Sequence, residues 1–303
     1  MSKKLGNRFT IAASIVAAAA LFPTTTEAQA ICSAPHSSPT LSESASIRTL
    51  PSGEGWVQLS TSFTTATESF NPTGDRQDFL GGSTFDTRSA FLTASYGVTR
   101  GLEIWGQVPV HRLRTEGGNG GVSRSTGLGD IRTAVRVSPA LVGVEAPVAL
   151  RLGYKQPGSD FPIDATELPL TEGQRDVEVS VESGWAPVES PFYVSGWAGY
   201  RWRSENTDTE HQPGDEVFAH LAIGGTLGVL GWELGVDGLW GGTPVDQGLR
   251  LSSQDRQLIQ IVPTIASFVG PGNLEITAPI PVSGRNLPAS YGLSVGYRIG
   301  WGR

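Results

Sequence analysis

Arg132 and Arg136 stand four residues apart, as do Arg151 and Lys155, and as do Glu178 and Glu182. The residues between them are apolar at odd offsets: Val135, then Leu152 and Tyr154, then Val179 and Val181. An even spacing interleaved this way puts the charges on one face of extended strands, because successive side chains alternate sides. Two basic segments followed by an acidic one could set opposed walls that orient a polar or charged solute in a pore. They could equally pair across strands and close the interior. The same polar face takes Glu103, Gln107 and His111 on one segment, and Arg201, His220, Glu275 and Arg298 on others. Nothing here points to covalent chemistry. Gly127-Leu128-Gly129-Asp130 lacks the third glycine and the following helix of a phosphate loop. His36-Ser37-Ser38 lies in the polar leader before the first strand, and His111, His211 and His220 lack the neighbouring serine of outer-membrane lipases. One cysteine and four histidines, with no CxxC, HExxH or EF-hand spacing, leave no metal site. No catalytic residue, cofactor or metal is expected.

The elements that would position these charges are strands. Ala90, Leu92, Ala94 and Tyr96 alternate with Thr93 and Ser95, and Leu102, Ile104, Val108 and Val110 with Glu103, Gln107 and His111. About twelve such segments follow one another, over 56–64, 87–96, 102–111, 127–137, 146–155, 175–184, 192–202, 215–226, 231–240, 255–266, 273–282 and 290–301. Most approach the roughly 9–11 residues that a tilted strand needs to cross a bilayer, against about five or six for strands of soluble proteins. The links alternate long and short, from the long 66–86 to the tight 97–101 and onward to the end. Membrane barrels keep that rhythm, with short turns on one side and long loops on the other. Trp56, Tyr96, Trp185, Phe192, Trp232 and Trp301 fall at the tight-turn ends, and Tyr154, Trp202 and Trp240 near the opposite ends, as two interfacial girdles would. The fold class expected is all-β: a closed antiparallel up-and-down transmembrane β-barrel of about 12 strands, with 10 or 14 as alternatives. An even count puts both termini on the periplasmic side.

The ends of the chain agree with export. Lys3, Lys4 and Arg8 precede an alanine-rich apolar run to Phe22, and Ala28-Gln29-Ala30 fits small-x-small cleavage after Ala30. Residues 1–30 therefore read as a signal peptide, 31–55 as a flexible segment or a lumen plug, and 56–303 as the barrel. Cys32 is not preceded by a lipobox. Cleavage removes three positive charges and one negative, taking the net charge from −7 to −9. That balance excludes a general nucleic-acid binder, which carries a basic face. The last strand, with Ser294, Gly296, Ile299 and Trp301 followed by Gly302-Arg303, is similar to the signal read by the barrel assembly machinery. The partners expected are that machinery, outer-membrane lipid and a small-molecule solute; oligomeric state is not legible.

An internal repeat adds a family resemblance. Leu102-Glu103-Ile104-Trp105-Gly106-Gln107-Val108-Pro109-Val110 recurs as Leu274-Glu275-Ile276-Thr277-Ala278-Pro279-Ile280-Pro281-Val282. Each copy opens a strand after a tight turn, with a proline late in it that predicts a bulge or bend. Tyr96-Gly97-Val98-Thr99-Arg100-Gly101-Leu102-Glu103-Ile104, Val108-Pro109-Val110 and Gly127-Leu128-Gly129-Asp130-Ile131 resemble the "MetA-pathway of phenol degradation" family. Its members are transporter-like outer-membrane β-barrels, and the resemblance covers roughly 85–301. It implies a barrel in the bacterial outer membrane and a link to aromatic metabolism. The function expected is passive passage of small, hydrophobic or aromatic molecules. A second expectation is a non-transporting barrel that binds through outward acidic loops carrying Asp160, Asp164, Glu167, Glu172, Glu205, Asp208 and Glu210. A third is a lipid-modifying enzyme.

Overall fold

The computed structural model describes residues 48–118, 120–162, 167–187 and 190–302. The expected signal segment, Cys32, His36-Ser37-Ser38 and Asp164 lie outside the described residues. Twelve strands build the body: β1 Gly55–Ala66, β2 Thr84–Thr99, β3 Leu102–Glu116, β4 Ile131–Val137, β5 Val148–Gln156, β6 Asp176–Trp185, β7 Phe192–Arg203, β8 Glu216–Leu227, β9 Leu230–Gly241, β10 Gln257–Val269, β11 Gly272–Thr277 and β12 Tyr291–Trp301. Each pairs antiparallel with the next in chain order. β12 then returns to β1 over eleven registered pairs, from Gly55 opposite Trp301 to Thr65 opposite Tyr291. The sheet is thus a closed ring of twelve strands, with no unpaired edge to expose backbone N–H and C=O groups to lipid.

Side-chain parity sorts the two faces. On β5, Leu152 is 50% exposed while Arg151 is 4% exposed. On β3, Ile104, Val108 and Val110 are exposed, while Glu103, Trp105, Gln107 and His111 are buried. Outward Leu59, Leu92, Leu150, Val181, Leu221, Leu234, Ile265 and Leu293 continue this apolar surface around the ring. Such a continuous patch far exceeds what a soluble monomer exposes and is matched to lipid. Tight turns close one end. Gly228 and Gly270 take φ +64° and +59° there, a left-handed conformation that glycine adopts without steric cost.

Three departures have local causes. β3 runs five residues past His111, and Val122–Leu128 pairs with it as a projecting hairpin closed by the Gly117 N–H to the Gly121 carbonyl, 2.8 Å. The apolar alternation ends at Val110 because the hairpin rises out of the lipid, so its extension carries no membrane signature. The proline expectation takes a particular form. β3 passes Pro109 unbroken against β2, but the register towards the next strand shifts by one between Gln107–Arg132 and Val110–Leu128. Pro109 has no N–H to offer there, and its carbonyl accepts from Gly129, 3.2 Å. In the second copy of the repeat the strand breaks at 278–279 and resumes as Ile280–Arg285 against β10. Third, Trp56 is not part of an interfacial ring. It shares the inward parity of Gln58 and Ser60 and is buried; nearness to a strand end misplaced it. Tyr96, Trp185, Phe192 and Trp301 face outward near the tight turns, and Tyr154, Trp202 and Trp240 face outward towards the loops.

Candidate functional site

The interior of the barrel is the candidate site, and it is filled by polar contacts in three groups. At the tight-turn end Glu103 is the hub. Its carboxylate accepts from Arg136 Nη1 at 2.7 Å, from the Ser95 hydroxyl at 2.5 Å and from the Leu50 N–H at 2.9 Å. Arg136 continues to Glu182 on β6 through Nη2, 2.8 Å, crossing over β5. Arg151 lies 3.9 Å from Glu182 and holds its guanidinium 4.4 Å from the Trp105 ring centre. The chain before β1 enters here. Leu50 packs with Trp56, Trp105 and Ala134, and the Thr49 hydroxyl meets Ser138 at 3.0 Å. Gly97 admits the segment, since a Cβ there would collide with the Pro51 carbonyl.

At the long-loop end Glu172 is the hub. Lys155 contacts it and also reaches Asp176 at 2.7 Å and Asp130 at 3.5 Å. Arg203 donates to Glu172 at 2.6 Å and to Glu216 at 3.3 Å. Arg201 joins Glu216 at 2.7 Å and Glu178 at 3.0 Å, and Arg256 bridges Glu216 and Glu172. Glu172 was expected on an outward loop. It is instead buried in the barrel mouth, together with Thr171 and Gln174, because residues 167–175 fold inward. Leu168 and Leu170 of that segment pack on Phe85 and Leu113, and the Leu168 N–H donates to Ser125 Oγ, 3.1 Å. Burial pushes the Glu172 carboxyl up, but Arg203, Lys155 and Arg256 together outweigh it and hold the group well below the ordinary carboxylate range. The loop is therefore pinned by a charge that stays ionised.

The third group sets aromatic rings along β7 and β8 and, at the seam of β12 with β1, Trp56. Trp197 stacks on His220, with centres 3.8 Å apart and planes 10° apart. His220 Nδ1 meets Asp237 Oδ1 at 2.5 Å, and Gln260 donates to Asp237 at 3.0 Å. The Tyr193 hydroxyl donates to Glu233, 2.8 Å. Arg298 lies 4.0 Å over the Trp56 ring and donates to Gln58. Arg201 lies 5.3 Å from the Phe218 ring centre. Rings faced by cations recur around the lumen, an arrangement that favours both partners when water is excluded.

The remaining polar side chains named from the sequence occupy the same interior. Gln107 donates to Thr93 Oγ1 at 2.9 Å, His111 Nδ1 meets Ser89 Oγ at 2.7 Å, and Arg132 is buried beside them. Glu275 accepts from Thr277 at 3.4 Å. Asp176, Arg203, Glu216, Glu233, Asp237 and Arg256 join the site without having been singled out, and Glu172 joins it from the loop that was expected to face outward. Asp176 and Glu216 share strand parity with Glu178 and His220, so the alternation could have found them. Glu172 lies in a loop with no period to read.

A family model described as "Putative MetA-pathway of phenol degradation" matches residues 60–297. In fold the chain is similar to the COG4313 outer membrane channel from Pseudomonas putida F1. The TM-score is 0.68 at 16% identity, over 84% of this chain and 97% of that one. The translocator domain of the autotransporter NalP from Neisseria meningitidis aligns with TM-score 0.47 and 8% identity, over 82% of this chain and 89% of that one. A deletion mutant of the monoaromatic hydrocarbon channel TodX aligns with TM-score 0.47 and 8% identity, over 82% and 91%. No curated protein matches the chain.

Proposed function

The chain belongs to the MetA-pathway of phenol degradation family, and from that premise we propose that it is a passive outer-membrane channel for small molecules, aromatic ones among them. The observation that carries the reading is the division of its surfaces: apolar towards lipid, and inside a lumen of guanidinium groups set against aromatic rings. A small aromatic solute meets there both a ring to stack on and, for an acid or phenolate, a cation to pair with. The outer-membrane channel of similar fold from Pseudomonas putida supports the same class of function. In this reading the signal segment delivers the chain to the periplasm, the tight turns face the periplasm and the long loops face outside.

The test is reconstitution of the purified protein in planar bilayers and liposomes. Discrete conductance steps and swelling in benzoate are expected, and absence of permeation by any small solute would remove the reading. A sealed barrel is the competing reading, favoured by the ion pairs from Arg136 to Glu103 and Glu182 that span the interior. It would leave both assays silent. The channel is read as a non-enzyme, and phospholipid turnover by the pure protein would overturn that part.

A further inference from the structure

The projecting hairpin carries a basic cluster on its outer wall, away from the lumen. Arg88 on β2 stands directly opposite Arg112 on β3, and Arg114 directly opposite Arg124 in the segment Val122–Leu128. All four have the outward parity of Leu92, Val108, Val110 and Leu128, which lie further towards the tight-turn end of the same strands and are exposed. Like charges placed opposite each other on a sheet repel and are destabilising. Here two such pairs stack two residues apart along β3, about 7 Å at strand rise. Arg114 has acidic neighbours, Asp86 at 3.5 Å and Glu116 at 2.5 Å. Among the described residues Arg88, Arg112 and Arg124 have no carboxylate within ion-pair distance. This concentration of positive charge sits on a chain whose net charge is −7.

A groove of about 600 Å³ runs along the cluster. On one side it is lined by Arg88, Arg112, Arg114 and Arg124, with Asp86 beside Arg114, and on the other by Phe63, Leu293 and Tyr291. Phe63 lies opposite Arg88 across the β1–β2 pair and opposite Leu293 across the β1–β12 pair, so the apolar floor and the basic wall meet along one line. That line is where the lipid-facing belt ends. A ligand that fits must offer anionic oxygens to one side of that line and hydrocarbon to the other. Guanidinium forks suit phosphate oxygens by paired, charge-assisted hydrogen bonds.

We propose that Arg88, Arg112, Arg114 and Arg124 form a binding site for the phosphorylated headgroup of a lipid in the loop-side leaflet, with its acyl portion against Phe63 and Leu293. Two guanidinium pairs stacked along the wall match a headgroup bearing two phosphates. The site rests on the barrel lying in a bilayer but not on transport, so a sealed lumen would leave it standing.

The experiment measures binding of a bisphosphorylated lipid A to the folded, detergent-solubilised full-length protein. Three comparisons accompany it: the same lipid stripped of phosphate, inorganic phosphate as competitor, and the triple variant Arg88→Gln/Arg112→Gln/Arg124→Gln. Folding of the variant is checked by heat-modifiable gel mobility. At least tenfold weaker binding is expected for the stripped lipid and for the variant, with no displacement by millimolar inorganic phosphate. Equal affinity for the stripped lipid, or an unchanged affinity in the folded variant, would overturn the site. Displacement by inorganic phosphate would replace the lipid with a free anion and equally overturn it. Should the variant fail to fold, the comparison of the two lipids on the unaltered protein decides.

Discussion

Glu172 shows how much a single carboxylate can organise. It is buried, touches Lys155, Arg203 and Arg256, and ties the inward loop to β5, β7 and the approach to β10. Breaking a buried ion pair from one side costs about 3–5 kcal/mol, because the remaining charges are left uncompensated. Glu172→Gln is therefore expected to release residues 167–175 while leaving the strands paired. Faster cleavage of that loop by added protease, with unchanged heat-modifiability, is the readout; an equally resistant loop would contradict the role. The pH dependence has a definite sign. The folded pKa of Glu172 lies well below its ordinary value of 4.5, so the contact is fully present above 4.5 and weakens only as the pH falls towards the lowered value. Asp130, which accepts the Glu172 N–H and which burial pushes up to about 6, takes up its proton between pH 7 and pH 5, and a raised folded pKa does not cost stability as the pH falls. Protease resistance of the loop is thus expected not to fall between pH 7 and pH 5 and to decline only in stronger acid. Arg151 offers a second residue-scale test. It faces Trp105 and is only loosely paired with Glu182, so Arg151→Gln should slow benzoate flux relative to that of an uncharged aromatic of the same size. Equal slowing of both would place the guanidinium outside the solute path.

At the scale of elements, strands were far more legible in the sequence than the segments between them. Lipid on one side and water or buried charge on the other impose a strict period of two, so β2, β5, β6 and β7 could be bounded to within a few residues. The same alternation places Arg151 and Lys155 inward, against Leu150, Leu152 and Tyr154 outward. The period holds only inside the membrane, however. It disappears at Val110, which hides the extension of β3, and it says nothing of a loop residue such as Glu172, which is drawn inward by three cations on other elements. The Arg88–Arg112 pair was invisible for a related reason: each arginine has a parity, but their juxtaposition depends on the β2–β3 register. Two outcomes belong to this scale. Leu152→Arg, which puts a cation on the lipid face, should lower unfolding stability in vesicles by about 2–4 kcal/mol if the site lies near the midplane; a neutral effect would contradict the lipid-facing assignment of β5. The segment before β1 tucks under Trp105 and donates to Glu103. Deleting residues 31–51 is expected to raise single-channel conductance, and an unchanged current would show that this segment does not narrow the tight-turn end.

For the whole molecule, closure and solute passage pull in different directions. Closing β12 on β1 satisfies the backbone everywhere along the ring, and the apolar exterior makes the barrel soluble only in lipid. Twelve strands lie between the eight whose interior is filled by side chains and the sixteen that leave a wide channel. Here the intermediate bore is occupied by ion pairs near both ends, by Trp197 stacked on His220 and by rings faced by arginines, so a pathway must run between charged groups that hold one another in place. That arrangement suits slow, selective passage of small planar solutes rather than bulk flow. The most direct test is single-channel current in a Cys32→Ser background, before and after a charged thiol reagent, with cysteine placed at Arg151 or at Leu152. The channel reading predicts that modification at position 151 reduces the current and that modification at position 152 leaves it unchanged. No current in either protein, or equal block from both positions, would contradict it.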